Sequence, residues 1–232
     1  SIDNPHVYIE SNIKGFLNII ELCRHNNIDG LIYASSSSVY GANTNIPYRE
    51  IDKAQTQLSI YAATKKSTES IAHSYSNIWR LPITMLRFFT VYGPWGRPDM
   101  ALFKFTKGII NGEPIDIYNN GEMYRDFTYI DDIVKGIINL TSVPPKEEKN
   151  IDKNDSLSPV APFRIVNIGN SNQVKLLDFV EAIENYLGKK AIRNYMPMQQ
   201  GDVSATWANT DLLKKLTGYA PKTEIKVGIK KF

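Results

Sequence analysis

The sequence predicts an α/β fold in which a doubly wound parallel sheet is joined to a smaller α+β lobe. Three observations support this prediction. Helical patterns alternate with short buried-strand patterns, polar motifs follow two of those strands, and the pattern changes after residue 93. Alternating helices and buried strands are typical of βαβ units, whose strands pair in parallel.

The first part of the chain supplies the βαβ elements. Residues 5–26 and 59–79 carry apolar side chains at helical spacing and predict two amphipathic helices. Two short apolar runs, 31–34 and 83–89, predict buried parallel strands. Ligands bind beyond the carboxyl ends of such strands, so functional residues are expected in the segments that follow them.

A loop that contains Pro94, Gly96 and Pro98 opens the smaller lobe. The elements predicted there are a helix at 101–111, strands at 115–118 and 126–130, a helix at 131–140, a strand at 164–168, a helix at 175–188, a strand at 191–195 and a helix at 210–216. Residues 143–162 are rich in Pro, Lys, Glu, Asp and Ser and predict a mobile surface loop.

Both ends of the chain suggest missing segments. A dinucleotide-binding fold is expected to begin with a strand, a Gly-rich turn and a helix, whereas this chain opens on a helix. Segment 93–96 has two glycines at the wrong spacing for such a turn. At roughly 30 residues per βαβ unit, two to three units are expected to be absent. Residues 224–232 predict the start of a further helix, stopped after about two turns.

The predicted domains divide at residue 93. Residues 1–93 are interpreted as the C-terminal part of a dinucleotide-binding domain. Residues 94–232 are interpreted mainly as a substrate lobe, from which some segments are expected to return to the main sheet.

Composition excludes several function classes. The 27 basic and 24 acidic residues are interspersed and give a net charge of +3, which does not indicate a nucleic-acid surface. One cysteine, Cys23, and three scattered histidines predict neither a disulfide framework nor a metal site. Nothing resembles a signal peptide or membrane span, so the default expectation is a cytoplasmic protein without membrane partners.

Tyr61 and Lys65 lie four residues apart, one turn along the second predicted helix. A free tyrosine has a pKa of about 10 and is a poor base at neutral pH, but a nearby ammonium favours the phenolate. Such a pair suits proton transfer at an alcohol, and a serine hydroxyl can share the proton. The serine run Ser35–Ser38 follows the first predicted strand.

Four motifs together carry a family resemblance. They are Ser35-Ser36-Ser37-Ser38-Val39-Tyr40-Gly41, Tyr61-x-x-x-Lys65, Arg87-Phe88-Phe89-Thr90-Val91-Tyr92-Gly93-Pro94 and Arg125-Asp126-Phe127-Thr128-Tyr129-Ile130-Asp131-Asp132. In order and spacing they resemble the extended short-chain dehydrogenase/reductases, the NAD-dependent nucleotide-sugar epimerase/dehydratase family. Within it, segments 95–103 and 201–207 look most like UDP-glucuronate 4-epimerases.

The resemblance implies a Rossmann-like fold, NAD as cofactor and an isomerase activity on a UDP-sugar. Ser36, Tyr61 and Lys65 would be the catalytic residues, with Tyr61 as acid and base at the sugar 4-hydroxyl and Lys65 at the nicotinamide ribose. Together with Tyr61 and Lys65, the cofactor-binding residues implied are Ala34, Ser35 and Phe88.

The resemblance also implies a set of substrate-binding residues. Ser37, Ser38, Thr90 and Arg97 would contact the sugar. At the nucleotide end, Tyr118 would lie by the uracil, Arg125 would bind the diphosphate and Asp202 would approach the ribose. Many relatives carry an arginine where Gln199 stands, so one diphosphate cation expected of the family is missing.

The implied reaction is the conversion of UDP-glucuronate to UDP-galacturonate through transient oxidation at C4. The 4-keto uronate is a β-keto acid and can lose carbon dioxide. Our hypothesis is that Arg97, with Thr90 and the serine hydroxyls, holds the substrate carboxylate, because a guanidinium binds a carboxylate with two hydrogen bonds.

Plainer interpretations of these residues stay open from the sequence. Tyr61 and Lys65 could form a surface pair, the serine run could be a polar loop, and Arg97 could be solvated. Arg125 could pair with Asp126 or Asp131. Tyr118 could be a half-buried strand residue, while Asp131 and Asp132 are interpreted as helix N-caps.

Two other functions also stay open. One is a different epimerase, a dehydratase or a decarboxylase of the same family, although Ser37-Ser38 stands where dehydratases usually carry Asp-Glu. The other is a truncated, non-catalytic fragment that binds a nucleotide sugar. Relatives pair the helices at 5–26 and 59–79 across a two-fold axis, so a homodimer is expected.

Overall fold

The structure, a computed structural model, describes residues 1–232. Its helices are α1 (Pro5–Tyr8), α2 (Gly15–His25), α3 (Ile60–Trp79), α4 (Ala101–Asn111), α5 (Ile130–Thr141), α6 (Leu176–Leu187), α7 (Asp211–Thr217) and α8 (Ile225–Lys231). Its strands are β1 (Leu31–Ala34), β2 (Ile83–Phe88), β3 (Thr90–Tyr92), β4 (Pro114–Ile117), β5 (Tyr124–Arg125), β6 (Phe127–Tyr129), β7 (Phe163–Ile168), β8 (Val174–Lys175), β9 (Ile192–Tyr195) and β10 (Ala205–Thr206).

The central sheet is parallel and has the order β1-β2-β7. Helices α2 and α3 cover one face, where Phe16, Ile20 and Ala72 pack against strand residues of β2 and β7. Helices α5 and α7 cover the other face around the buried Val166 and Ile168 of β7. The predicted α/β class with helices on both faces of a parallel sheet is thereby confirmed.

The smaller lobe surrounds its own apolar core. Helices α4, α6 and α8 pack there with the short parallel pairs β3-β6 and β4-β9. A third small sheet has the order β10-β5-β8. Phe127 and Phe179 stack at the centre of this core, with their ring centroids 4.0 Å apart.

A helical segment precedes the central sheet and contains an unusual turn. The stretch Ile9–Lys14 between α1 and α2 is π-helical, and it packs against α3. Asn12 in this stretch donates from Nδ2 to Thr64 Oγ1 on α3 at 2.9 Å. Such π-helical turns within helices are frequent at functional sites.

Most predicted elements coincide with observed ones within one or two residues. Three differences matter. Strand β3 at Thr90–Tyr92 was not predicted, and neither was β5, which lies before the predicted strand 126–130 that corresponds to β6. Strand β7 belongs to the central sheet, not to the smaller lobe with which the sequence pattern grouped it.

Asp131 and Asp132 are not N-caps as predicted, because Tyr129 occupies the cap position of α5. Both lie in the first turn of α5, where negative charge is favourable. The Asp132 carboxylate accepts the backbone N–H groups of Lys222 and Thr223, and so fixes the segment before α8.

None of the helices is both long and apolar enough to cross a membrane.

Candidate active site

Two adjoining cavities open beyond the carboxyl ends of β1 and β2. The larger has a volume of about 850 Å³ and the smaller about 150 Å³. Ser37, Ser38, Ser59 and Thr90 line both, so the two cavities form one continuous site.

The structure brings most of the predicted site residues together here. The larger cavity is lined by Ser36, Ser37, Ser38, Tyr61, Phe88, Thr90 and Arg97. The smaller is lined by Ser37, Ser38, Thr90, Arg125 and Asp202. Ala34, Ser35, Lys65 and Tyr118 line neither cavity.

The serine run forms a tight turn at the end of β1, which we call the serine turn and which spans residues 35–40. Ser36 is extended and buried, and its Oγ accepts the backbone N–H of Ser38 at 3.2 Å, which starts a short 3₁₀ turn over Ser37–Tyr40. Gly41 ends the turn with a φ of +55°, and a side chain there would strike the Thr56 carbonyl. The Ser36–Ser38 hydrogen bond and Gly41 therefore shape the turn that presents residues 36–38 at the cavity.

Helix α3 presents Tyr61 from its first turn. Ser59 caps the helix, since its Oγ accepts the backbone N–H of Ala62 at 3.1 Å. Tyr61 is half-buried, and the edge of the Tyr8 ring meets it with the ring centroids 6.1 Å apart. Tyr8 was not predicted as a site residue, because no residue spacing links the first helix to α3.

Lys65 lies one turn after Tyr61 and is also half-buried. Its Nζ donates to the carbonyl oxygen of Ala34, the last residue of β1, at 3.0 Å. Burial lowers the pKa of Lys65 below its usual value. The ammonium is thus held at the junction of α3 and the serine turn, and the interpretation of Tyr61 and Lys65 as a plain surface pair is wrong.

A buried ion pair lies beneath this junction. Glu69 and Arg87 each expose only 2% of their side chains, and they form two hydrogen bonds of 2.8 Å. Ser35 Oγ donates to Glu69 at 2.7 Å, so the Ser35 side chain points away from the cavities. Glu69 was missed from the sequence, although its position four residues after Lys65 places both on one helix face.

The smaller cavity contains an ion pair that joins distant parts of the chain. Arg125 Nη2 donates to Asp202 Oδ1 at 2.8 Å. Arg125 pairs with neither Asp126 nor Asp131, so that open alternative is answered. The predicted diphosphate cation and the predicted ribose contact are therefore neighbours.

Arg97 lies in the exposed loop before α4, on the rim of the larger cavity. It forms two hydrogen bonds with Asp99, of 3.0 and 2.8 Å, which lower the pKa of that carboxyl. The geometry is the planar two-point contact by which a guanidinium binds any carboxylate.

Tyr118 lies in the turn after β4 and is half-buried. The segment that contains Gln199 and Asp202 starts beside this turn, because Asn120 donates its backbone N–H to Met196. Tyr118 lines neither cavity, so the structure does not bring it together with the other predicted substrate-binding residues.

Glu50 is a buried carboxyl whose titration can be tested. It lies outside both cavities, and burial raises its pKa from 4.5 to about 7 although it accepts the backbone N–H of Asn167. The folded protein then binds a proton more tightly than the unfolded chain between these values. Stability from this group should be full below pH 4.5 and be lost as the pH rises through 7.

Glu50→Gln should therefore flatten the dependence of unfolding free energy on pH. One pKa unit corresponds to about 1.4 kcal/mol, so the wild-type loss between pH 5 and pH 8 should be at most about 3 kcal/mol. Urea unfolding at both pH values measures it. An equally steep profile in Glu50→Gln would contradict the assignment.

Comparisons with known proteins agree on one family. Residues 1–154 match the model of the NAD dependent epimerase/dehydratase family. The chain is 57% identical over 234 residues to Protein CapI of Staphylococcus aureus. The match covers all of this chain and 70% of CapI. It is 51% identical over 235 residues to the Probable UDP-glucuronate 4-epimerase of Rhizobium meliloti, covering all of this chain and 69% of that protein.

Solved structures give the same result. The UDP-glucuronic acid 4-epimerase of Bacillus cereus, in complex with UDP-glucuronic acid and NAD, is 32% identical, with a TM-score of 0.83. The match covers 96% of this chain and 66% of that one. The chain thus spans about two thirds of the length of such relatives.

Proposed function

The chain belongs to the NAD-dependent epimerase/dehydratase family, and we propose that it carries the catalytic and sugar-binding residues of a UDP-glucuronate 4-epimerase. The observation that carries the proposal is the larger cavity, in which Tyr61, the serine turn and Arg97 face one space. A proton-transfer group and a carboxylate-binding group in one cavity suit a sugar that bears both a hydroxyl and a carboxylate. The relatives named above support the same substrate.

The residues present fit the nicotinamide end of NAD. Phe88 and Tyr61 offer aromatic surface in the larger cavity, and Lys65 is bonded to Ala34, two residues before the cavity residue Ser36. NAD, when bound, exchanges a hydride with C4 of the sugar. The chain's own residues have to orient the sugar and move its hydroxyl proton.

Proton transfer at the sugar 4-hydroxyl is assigned to Tyr61. Its position in the first turn of α3 places the phenol at the cavity, while Lys65 one turn later supplies a positive charge on the same helix face. Ser36 has its oxygen engaged by the Ser38 N–H and keeps its own proton to donate to a ligand. These three groups form the proposed acid–base machinery.

The nucleotide end is assigned to the smaller cavity and its surroundings. Arg125 would bind the diphosphate, exchanging Asp202 for a phosphate oxygen, and Asp202 would then be free to accept a ribose hydroxyl. Tyr118 would lie by the uracil.

The carboxylate of the sugar is assigned to Arg97, with Thr90 and the serine hydroxyls. Asp99 already occupies Arg97 with the two-point geometry that a uronate needs. Holding the carboxylate on a charged donor keeps it ionised and in place, and so slows loss of carbon dioxide from the 4-keto uronate.

Replacing Arg97 with alanine should lower kcat/KM for UDP-glucuronate about 10- to 100-fold and raise the fraction of UDP-pentose by-product. The expected loss is that of one charge-assisted contact, about 1.5–3 kcal/mol. Arg80→Ala is the matched control, because Arg80 forms an exposed pair with Glu147 outside both cavities. Unchanged kinetics and an unchanged product ratio in Arg97→Ala would contradict the role.

The function itself is tested with the full-length gene product. Native mass spectrometry should show a bound dinucleotide, and NMR should show UDP-galacturonate forming from UDP-glucuronate. UDP-glucose and UDP-N-acetylglucosamine serve as competing substrates. Turnover of a neutral sugar instead would favour another epimerase of the family, and binding without turnover would favour a non-catalytic nucleotide-sugar-binding protein.

A homodimer is part of the proposal. The first helical segment exposes Val7, Ile9 and Leu22, and α3 exposes Ile78 and Trp79. Pairing of these helices across a two-fold axis would cover both surfaces. Sedimentation should then give twice the chain mass, and a monomer at micromolar concentration would contradict it.

A further inference from the structure

The carboxylate of Glu69 is the centre of a buried network outside both cavities. Its Oε1 accepts from Ser35 Oγ and Arg87 Nε, and its Oε2 accepts from Arg87 Nη2 and Lys66 Nζ. Burial acts to raise the pKa of Glu69, but the hydrogen bonds and charge of Arg87 and Lys66 lower it. Glu69 is therefore an ionised acceptor, and Ser35 must be the donor.

This network ties helix α3 to the end of β1. Lys65 donates to the carbonyl of Ala34, and Glu69, one turn further along, accepts from the hydroxyl of the next residue, Ser35. Two successive residues of the strand end are thus bonded to two successive turns of the helix. Ser36, which lines the cavity, follows immediately.

The same network fixes the third element of the site. Arg87 belongs to β2, and its guanidinium also lies over the Tyr40 ring, 4.6 Å from the centroid. Tyr40 is the last residue of the serine turn. Both ends of the turn, Ser35 and Tyr40, are therefore held by the Glu69–Arg87 pair.

We propose that Glu69 is a positioning residue which, through the Ser35 hydroxyl, holds the serine turn at its working distance from Tyr61 and Lys65. Glu69 lines neither cavity, so it acts on the site through Ser35 and not by contact with a ligand. Displacement of a reacting group by about 1 Å can lower the rate about 100-fold. Because Ser35 directly precedes Ser36, loss of the Ser35–Glu69 hydrogen bond is expected to lower kcat. The kinetic part of this inference rests on the proposed function.

A single replacement of Glu69 would leave Arg87 buried without its partner, which destabilises the fold by itself. The test therefore uses two double variants of the full-length protein. Glu69→Gln with Arg87→Met keeps an acceptor for Ser35, whereas Glu69→Leu with Arg87→Met removes it. Both lack the buried Glu69–Arg87 pair and the contact of Arg87 with Tyr40. They differ in the acceptor for Ser35 and Lys66, which glutamine keeps and leucine lacks, and Ser35→Ala separates the Ser35 bond from the Lys66 contact.

The leucine pair should have a kcat about tenfold below that of the glutamine pair, with an unchanged KM for the UDP-sugar and similar thermal midpoints. Hydrogen exchange of peptide 34–41 should be faster in the leucine pair, while peptide 70–79 should exchange equally in both. Ser35→Ala in the wild-type background should reproduce the drop in kcat.

Equal kcat and equal exchange of peptide 34–41 in the two double variants would overturn the proposal. Hydrogen exchange needs no turnover, so it decides the positioning role even if the wild-type protein converts no UDP-sugar. Such a lack of turnover would count against the proposed function alone.

Discussion

Tyr61→Phe is expected to lower kcat for the nucleotide sugar about 10²- to 10⁴-fold, the usual range for loss of a general acid–base group. The substitution removes only the phenolic oxygen. Tyr61 packs against Tyr8 through its ring, and its hydroxyl bonds to no other residue, so the fold should not change. KM for the sugar should change little, because the lost group acts mainly in the transition state.

The measurement is a steady-state comparison of wild type, Tyr61→Phe and Tyr186→Phe. Tyr186 lies on α6 with 56% of its surface exposed, and its variant should retain full activity. Retention of more than about a tenth of wild-type kcat in Tyr61→Phe would remove Tyr61 from the mechanism and leave Ser36 as the remaining proton-transfer candidate.

The central sheet could be predicted because its signals are local. The run Leu31–Ala34 and the helix that starts at Ser59 each lie within one short, strongly patterned segment, and both were placed within a residue or two. Helix α3 also carries its own cap signal in Ser59. Alternation of such segments is sufficient to indicate parallel strands.

The partner of β2 could not be predicted in the same way. Strand β7 pairs with β2 across about 80 residues, from Ile83 to Phe163, and no local pattern states which sheet a distant apolar strand joins. Strands of two or three residues, such as Val174–Lys175, are too short to show a period. Tertiary contacts decide both the pairing of β7 with β2 and the formation of such short strands.

In the candidate site, too, residues related by local spacing could be predicted, whereas residues positioned by tertiary contacts could not. Tyr61 and Lys65 were predictable because helical spacing brings them to one face. The direction of the Ser35 side chain was not, because it depends on Glu69 and on burial. The ion pair of Arg125 with Asp202 spans 77 residues and had no local signal that distinguished it from pairing with Asp126.

Asp126 marks the point where the two parts of the chain meet. It is fully buried, and its carboxylate accepts the Thr128 hydroxyl and the backbone N–H groups of Asn170, Ser171 and Ala208. Those groups come from β6, from the loop after β7 and from the segment after β10. One side chain therefore joins the central sheet to the strand beside Arg125.

Asp126→Ala should lower the free energy of unfolding by at least about 3 kcal/mol, because three buried N–H groups and one hydroxyl lose their acceptor at about 1–3 kcal/mol each. Asp126→Asn should cost less, since one carbonyl oxygen remains to accept. Urea denaturation of the three proteins measures the difference. A loss below about 1 kcal/mol in Asp126→Ala would mean that water or a shifted loop satisfies these groups, and that Asp126 does not hold the two parts together.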